Sequence, residues 1–258
     1  MTPPALPGTF APDLLAGKRV LVVGGTRGIG LAIAQLGLAA GAQVVLTGRD
    51  AGAAQAAAAQ IGAQGSAGFD AAAPDAEAHI EALFDAHGPF DGLCYNAGTS
   101  PRYTRADKLD LGTWQQLLAV NLTGPFLAAR AFGARAIADG RPGSVVFTAS
   151  VAAQTGAERL AAYAATKHGV LGLARSLALD WAGLGIRANV LIPGWVATDM
   201  TAGLRANPAL KARLEAQVPL GRFAQPHEVA GPAVFLLSDA AAYITGAAWA
   251  ADGGLLAA

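Results

Sequence analysis

Short runs of Val, Leu and Ile punctuate the chain, and between them apolar residues recur at helical spacing. The runs Arg19–Val23, Gln43–Thr47, Gly92–Tyr95, Ser144–Thr148 and Arg187–Ile192 each stop at Gly, Pro, Asn or Ser and predict strands. Weaker runs at Ser66–Phe69 and Ala247–Ala251 bring the total to about seven. Helices are predicted over Gly28–Ala40, Ala51–Ile61, Asp75–Ala86, Thr113–Ala138, Ala161–Ala182 and His227–Leu237. Strands that are apolar throughout, rather than alternating, are buried on both faces. With helices between them they predict a Rossmann-like, doubly wound α/β fold around a parallel sheet. No composition shift follows residue 12 and no internal repeat appears. The expectation is one domain over 16–258 behind a Pro-rich flexible arm over 1–15. Met1–Pro12 holds four prolines, no basic residue and no apolar core of a signal peptide.

Composition narrows the function classes. The 258 residues are 53% hydrophobic and 14% charged, with 18 basic against 18 acidic side chains. A net charge of +0 offers no electrostatic footprint for nucleic acid or an anionic membrane surface. No unbroken apolar stretch reaches the roughly 18 residues of a membrane span. A lone Cys94 excludes an internal disulfide, and His79, His87, His168 and His227 include no i, i+4 pair, so no metal site is expected. These features predict a soluble cytoplasmic protein.

The first strand runs directly into Gly24-Gly25-Thr26-Arg27-Gly28-Ile29-Gly30, and a helix follows. Glycines there allow a tight turn and a close approach to a pyrophosphate, and the helix N-terminus offers free N–H groups to it. The second strand ends at Gly48-Arg49 instead of at the acid that would bind the ribose 2′-hydroxyl of NAD. Arg49 and Arg27 together suit a 2′-phosphate, so charge complementarity favours NADP(H) over NAD(H).

Tyr163 and Lys167 stand at i and i+4 on one helix face. A free tyrosine, with pKa about 10, is a poor acid–base group near neutrality, and a lysine cation one turn away favours its phenolate. Ser150 lies thirteen residues before Tyr163 at a strand's carboxyl end, where open α/β sheets bind ligands. Asn121 lies on an apolar helical stripe ahead of Pro125, which has no N–H for the Asn121 main-chain carbonyl.

With the Gly-x-x-x-Gly-x-Gly turn, this set resembles the short-chain dehydrogenase/reductase family over about residues 16 to 254. The resemblance implies catalytic roles for Asn121, Ser150, Tyr163 and Lys167. Asn121 would support a water that links Lys167 to solvent as a proton relay. Cofactor contacts are implied for the glycine turn, Asp70 and Ala71 (adenine), Asn96-Ala97-Gly98 (ribose), Tyr163, Lys167, and Pro193, Gly194, Val196 and Thr198 (nicotinamide amide and diphosphate). The chain departs from the family pattern at Val23 and at Tyr95, where Thr and Asn are usual.

The chemistry so implied is hydride transfer between a nicotinamide and a carbonyl or secondary alcohol of ketone, sugar or polyol type. A mostly apolar pocket wall is expected from Val151, Ala152, Gln154, Leu160, Trp195, Met200 and Leu204 beside Ser150. A lid is expected over about 195–215, with a rim at Thr99–Tyr103 that includes Arg102. A 3-oxoacyl-carrier-protein reductase is the nearest rival. Arg141 stands at one of the basic positions that dock the acidic carrier in such enzymes, but Leu184 stands at another. A dinucleotide-binding sensor without turnover is a third reading. The Ala- and Leu-rich helices around 113–138 and 161–182 predict a homotetramer through the family's helix pairing.

Overall fold

The computed structural model describes residues 10–100 and 103–258. In chain order the elements are β1 (Arg19–Val23), α1 (Gly28–Ala39), β2 (Gln43–Gly48), α2 (Ala51–Ile61), β3 (Gly65–Gly68), α3 (Ala76–His87), β4 (Gly92–Tyr95), α4 (Leu111–Leu118), α5 (Gly124–Ala138), β5 (Gly143–Thr148), α6 (Ala161–Trp181), β6 (Ile186–Pro193), α7 (Ala202–Arg205), α8 (Pro208–Glu215), α9 (Pro226–Leu237) and β7 (Ala248–Ala251). The seven strands order as β3-β2-β1-β4-β5-β6-β7, with every neighbouring pair parallel. All seven predicted strands are present, with ends shifted by at most two residues.

Alternate strand residues feed two separate cores. Leu21, Val23, Leu93, Tyr95, Val145 and Phe147 face the layer that holds α3, α5 and α6. Val20, Val22, Val44, Leu46, Cys94 and Val146 face the layer of α1, α2 and α9. Each fully buried side chain of this size contributes about 1.5–3 kcal/mol, which is why every central strand reads as continuously apolar. Successive crossovers run outward from β1 to β3, then restart at β4 on the opposite side. The chain therefore parts between the carboxyl ends of β1 and β4, and such a switch point opens a ligand crevice.

Two expectations change. The helix predicted over Thr113–Ala138 is α4 and α5 joined by a π-turn at Ala119–Thr123. The Gly124 N–H bonds the carbonyl of Ala119, five residues back, and Pro125 has no N–H to contribute. The Val120 carbonyl, released by that shift, accepts from the Tyr95 hydroxyl at 3.1 Å. The run Leu111–Ala138 is long and apolar enough by length and composition to cross a membrane, but 56% of its most apolar window is buried within the fold. The predicted arm is also shorter than 1–15. Leu15 is fully buried, its N–H bonds Ala40 O at 2.7 Å, and Phe10 and Leu14 pack on the α1/α9 core. Apolar side chains at 10, 14 and 15 draw that part of the chain onto the domain, and residues 1–9 lie outside the described segment.

Candidate functional site

The glycine turn between β1 and α1 is built so closely that side chains cannot enter it. Gly24 has φ +79°, and a Cβ there would lie 2.6 Å from Ala97 N. A Cβ on Gly30 would overlap the Gly24 carbonyl oxygen, so α1 can start hard against the turn only with glycine at that position. Asn96 Nδ2 donates to Gly24 O at 3.2 Å, and the N–H groups of Asn96 and Ala97 both bond Val23 O at 2.9 Å. The turn and the Asn96-Ala97-Gly98 segment thus form one rigid floor to the crevice. The first turn of α1 contains Ile29 and no acidic residue, so its amides remain attractive to an anion.

Two further segments border this floor. At the end of β2, a Cβ on Gly48 would lie 2.5 Å from the Thr26 methyl carbon, so Thr26 fills the space an acidic side chain would need. The neighbouring Arg49 is exposed and makes no hydrogen bond or ion pair among the described residues. Arg27 has an acidic partner. Its Nη1 pairs with Asp199 Oδ2 at 3.1 Å, reaching across to the segment after β6. Thr198 meets the same turn, its methyl 3.2 Å from where a Gly28 Cβ would be. Of the two arginines assigned to a 2′-phosphate, Arg49 alone is unpaired, because an acid on the lid segment engages the other. Asp70 turns one carboxylate oxygen onto its own loop, accepting from Ala72 N at 2.9 Å beside Ala71. After Pro193 and Gly194, the Val196 carbonyl accepts from Thr201 Oγ1 at 2.6 Å, while its N–H makes no hydrogen bond among the described residues.

Two of the four residues singled out for chemistry, Asn121 and Lys167, flank Gly98. A Cβ there would stand 3.5 Å from Asn121 Oδ1 and 3.6 Å from Lys167 Nζ. Asn121 is 1% exposed and fully engaged. Its Oδ1 accepts from Thr99 N and its Nδ2 donates to Thr99 O, both at 2.8 Å, with Thr166 Oγ1 at 3.4 Å. This clamp fixes the π-turn against the loop after β4 and leaves only the Asn121 main-chain carbonyl for other use. Lys167 is 5% exposed and donates to Thr148 O at 3.0 Å. Ser150 follows β5 in extended backbone, accepting from Ala152 N at 3.2 Å, and its hydroxyl lies near enough to the Tyr163 phenol to act on it.

Burial dominates the electrostatics of the pair. Burial raises the Tyr163 pKa above its ordinary value, the Ser150 hydroxyl opposes that rise, and the nearby Tyr103 adds to it. Burial draws the lysine itself down to about 8, and its Nζ lies 5.6 Å from the Tyr163 ring centroid instead of at the phenolic oxygen. An ammonium that has lost its own hydration gains little by being near an equally buried phenol.

The expected pocket wall divides by depth. Ala152 is buried beneath Ser150, Val151, Leu160, Trp195 and Leu204 are half-buried, and Gln154 and Met200 are exposed. Trp195 tilts against Phe223 with its indole N–H buried and unpartnered. Arg102 lies outside the described residues. Thr104, just beyond it, donates its N–H to Arg159 O at 2.9 Å and joins the rim to the loop before α6. Sequence reasoning put Thr99 on the rim without its clamp on Asn121 and missed Thr148, because both take part through backbone atoms and leave no side-chain signal. It also missed Asp199, whose partner lies 172 residues away.

Residues 23–256 match the family model described as Enoyl-(Acyl carrier protein) reductase. The 2-(S)-hydroxypropyl-CoM dehydrogenase 3 of Xanthobacter autotrophicus is 38% identical over 252 residues, covering 94% of this chain and 98% of the relative. The galactitol 2-dehydrogenase (L-tagatose-forming) of Cereibacter sphaeroides is 40% identical over 244 residues, or 93% and 95% of the two chains. A solved gluconate 5-dehydrogenase from Burkholderia cenocepacia, in complex with NADP and tartrate, superposes with TM-score 0.87 at 34% identity, covering 96% of this chain and 98% of the other.

Proposed function

The chain belongs to the short-chain dehydrogenase/reductase family and is an NAD(P)-dependent oxidoreductase of CH–OH groups, and on that premise we propose that it interconverts a polyol or sugar with its keto form, with NADP(H) preferred. The observation that carries this reading is the linked set at the crevice: Asn121 and Lys167 flank Gly98, Lys167 Nζ lies 5.6 Å from the Tyr163 ring centroid, and Ser150 acts on the Tyr163 phenol. Similarity to the galactitol and gluconate dehydrogenases supports the substrate class.

The crevice suits a dinucleotide. The turn that no Cβ can enter receives the diphosphate with Thr26, Gly28, Ile29 and Gly30, while Asp70 and Ala71 border the adenine side. Arg49 faces a 2′-phosphate, and the unpaired Val196 N–H is a donor for the nicotinamide amide. When bound, the nicotinamide supplies or accepts the hydride, and in its oxidised form it brings a positive charge to the site. Ser150 holds the substrate oxygen toward Tyr163, and Tyr163 passes its proton to that oxygen in reduction and takes it back in oxidation. Lys167, held by Thr148 O, and a water on the Asn121 carbonyl return the proton from solvent. The segment 195–215, which carries α7 and α8, closes over the cofactor through Arg27–Asp199 and excludes water.

Docking of an acidic carrier protein is disfavoured. Arg141 spends its Nε and Nη2 on Asp139 at 3.1 and 3.0 Å and its Nη1 on Phe90 O. Two further parts of the proposal are a cytoplasmic location, which suits a single buried thiol, and a homotetramer. Exposed Phe126 on α5 and Leu179 on α6 support the assembly, and light scattering that gives a monomer would refute it.

The test is turnover of NADP+ and NAD+ with galactitol, D-threitol and gluconate, repeated for Tyr163→Phe. The variant should lose about 100-fold or more in kcat, as for removal of a general acid–base group, while binding the cofactor as the wild type does. Retained turnover would end the proton-donor assignment.

A further inference from the structure

We propose that Tyr95 is a positioning residue for the proton relay: by satisfying Val120 O, its hydroxyl steadies the π-turn in which Pro125 leaves the Asn121 main-chain carbonyl without its α-helical donor, and so holds that carbonyl in place for the relay. The proposal rests on the relay reading given above and adds a residue from outside the catalytic set.

Three consecutive carbonyls, those of Ala119, Val120 and Asn121, meet different fates at the π-turn. Gly124 N–H, which would serve Val120 O in a regular α-helix, instead bonds Ala119 O. The donor five residues beyond Val120 is Pro125, which has no N–H, so Val120 O has no helical partner of either kind. The α-helical donor to Asn121 O is the same Pro125. Two successive carbonyls are therefore released at one place, and the fold treats them differently. Val120 O is satisfied by the Tyr95 hydroxyl at 3.1 Å. Asn121 keeps its side chain on Thr99, and its carbonyl is left for a further donor.

Tyr95 reaches this point because the fold makes room for it. It is the last residue of β4 and 1% exposed, and its phenolic oxygen occupies the space where Gly124 would carry a Cβ. Strand β4 and the loop after it thus grip the π-turn at adjacent residues, Tyr95 on Val120 and Thr99 on Asn121. Burial holds the Tyr95 phenol far above its ordinary pKa, with the Asp70 charge adding to that, so it stays a proton donor throughout the working pH range. A shorter side chain at position 95, such as Asn, could not span from the sheet to Val120 in this arrangement.

Tyr95→Phe deletes the donor and keeps the ring. With NADP+ and the most rapidly oxidised of galactitol, D-threitol and gluconate, kcat should fall about tenfold, the scale of a displaced rather than removed proton-transfer group. Cofactor KM should stay within about twofold. The solvent deuterium isotope effect on kcat should rise and the pH profile of kcat should shift. Independently of turnover, hydrogen exchange across 119–128 should quicken in the variant. Pro125→Ala provides the converse test. It restores an N–H to the helix and should slow kcat with the same isotope signature while raising the melting temperature. Unchanged exchange across 119–128 in Tyr95→Phe overturns the proposal, as does a loss of kcat without change in isotope effect or pH profile. The same outcomes with Tyr163→Phe still active would locate the failure in the relay reading instead.

Discussion

Replacing Lys167 with Met separates what this residue costs the fold from what it does for chemistry. The ammonium is 5% exposed, and burial lowers its pKa from 10.5 to about 8. That difference corresponds to about 3 kcal/mol of penalty for carrying the charge in the folded state. Below pH 8 both folded and unfolded chains hold the proton, and the penalty is complete. Between about 8 and 10.5 the folded protein has released a proton that the unfolded chain keeps, so stability rises with pH. Above 10.5 the penalty is gone. Methionine removes the charge, leaves Thr148 O without its donor at a cost of about 1 kcal/mol, and gives up the contact with the Tyr163 ring, worth about 0.5 kcal/mol. Lys167→Met should therefore be about 1–2 kcal/mol more stable than wild type near pH 7 and less stable once the lysine is neutral, and it should not turn over. Urea unfolding of both proteins at about pH 7 and about pH 10.5 checks this. A stability difference that is the same at both pH values would refute the buried-cation argument, whatever happens to activity.

Other perturbations probe the neighbouring parts. Arg49→Asp places a negative charge where a 2′-phosphate would lie, so kcat/KM for NADPH relative to NADH should fall by about 100-fold or more. Because Arg49 is exposed and unpaired, stability should hold. An unchanged cofactor ratio would move the 2′-phosphate elsewhere. Asn121→Ala strips both bonds from the Thr99 backbone and should cost about 2–4 kcal/mol in denaturant unfolding. A cost under about 0.5 kcal/mol would mean that the clamp is not what holds the π-turn.

Wherever the determinants are local, the sequence alone decided the outcome. The five central strands are legible because a strand covered on both faces is mostly apolar, as in the runs at 19–23 and 187–192, while the edge strands β3 and β7 are only partly buried and gave the weaker runs. The nucleotide turn is legible because only glycine tolerates φ +79° and the approach of Ala97. Tyr163 and Lys167 share a helix face by spacing alone.

Tertiary structure decided what depends on distant partners. The break between α4 and α5 is bonded by Tyr95, 25 residues before Val120, and Arg27 pairs with Asp199, 172 residues away. The pKa of Lys167 could not be read from the sequence, which brings a charge near Tyr163 but does not show how much water each has lost. Desolvation belongs to the packed interior and has no address in the chain. Helical spacing placed the lysine beside the tyrosine, and burial then raised the pKa of one and lowered that of the other.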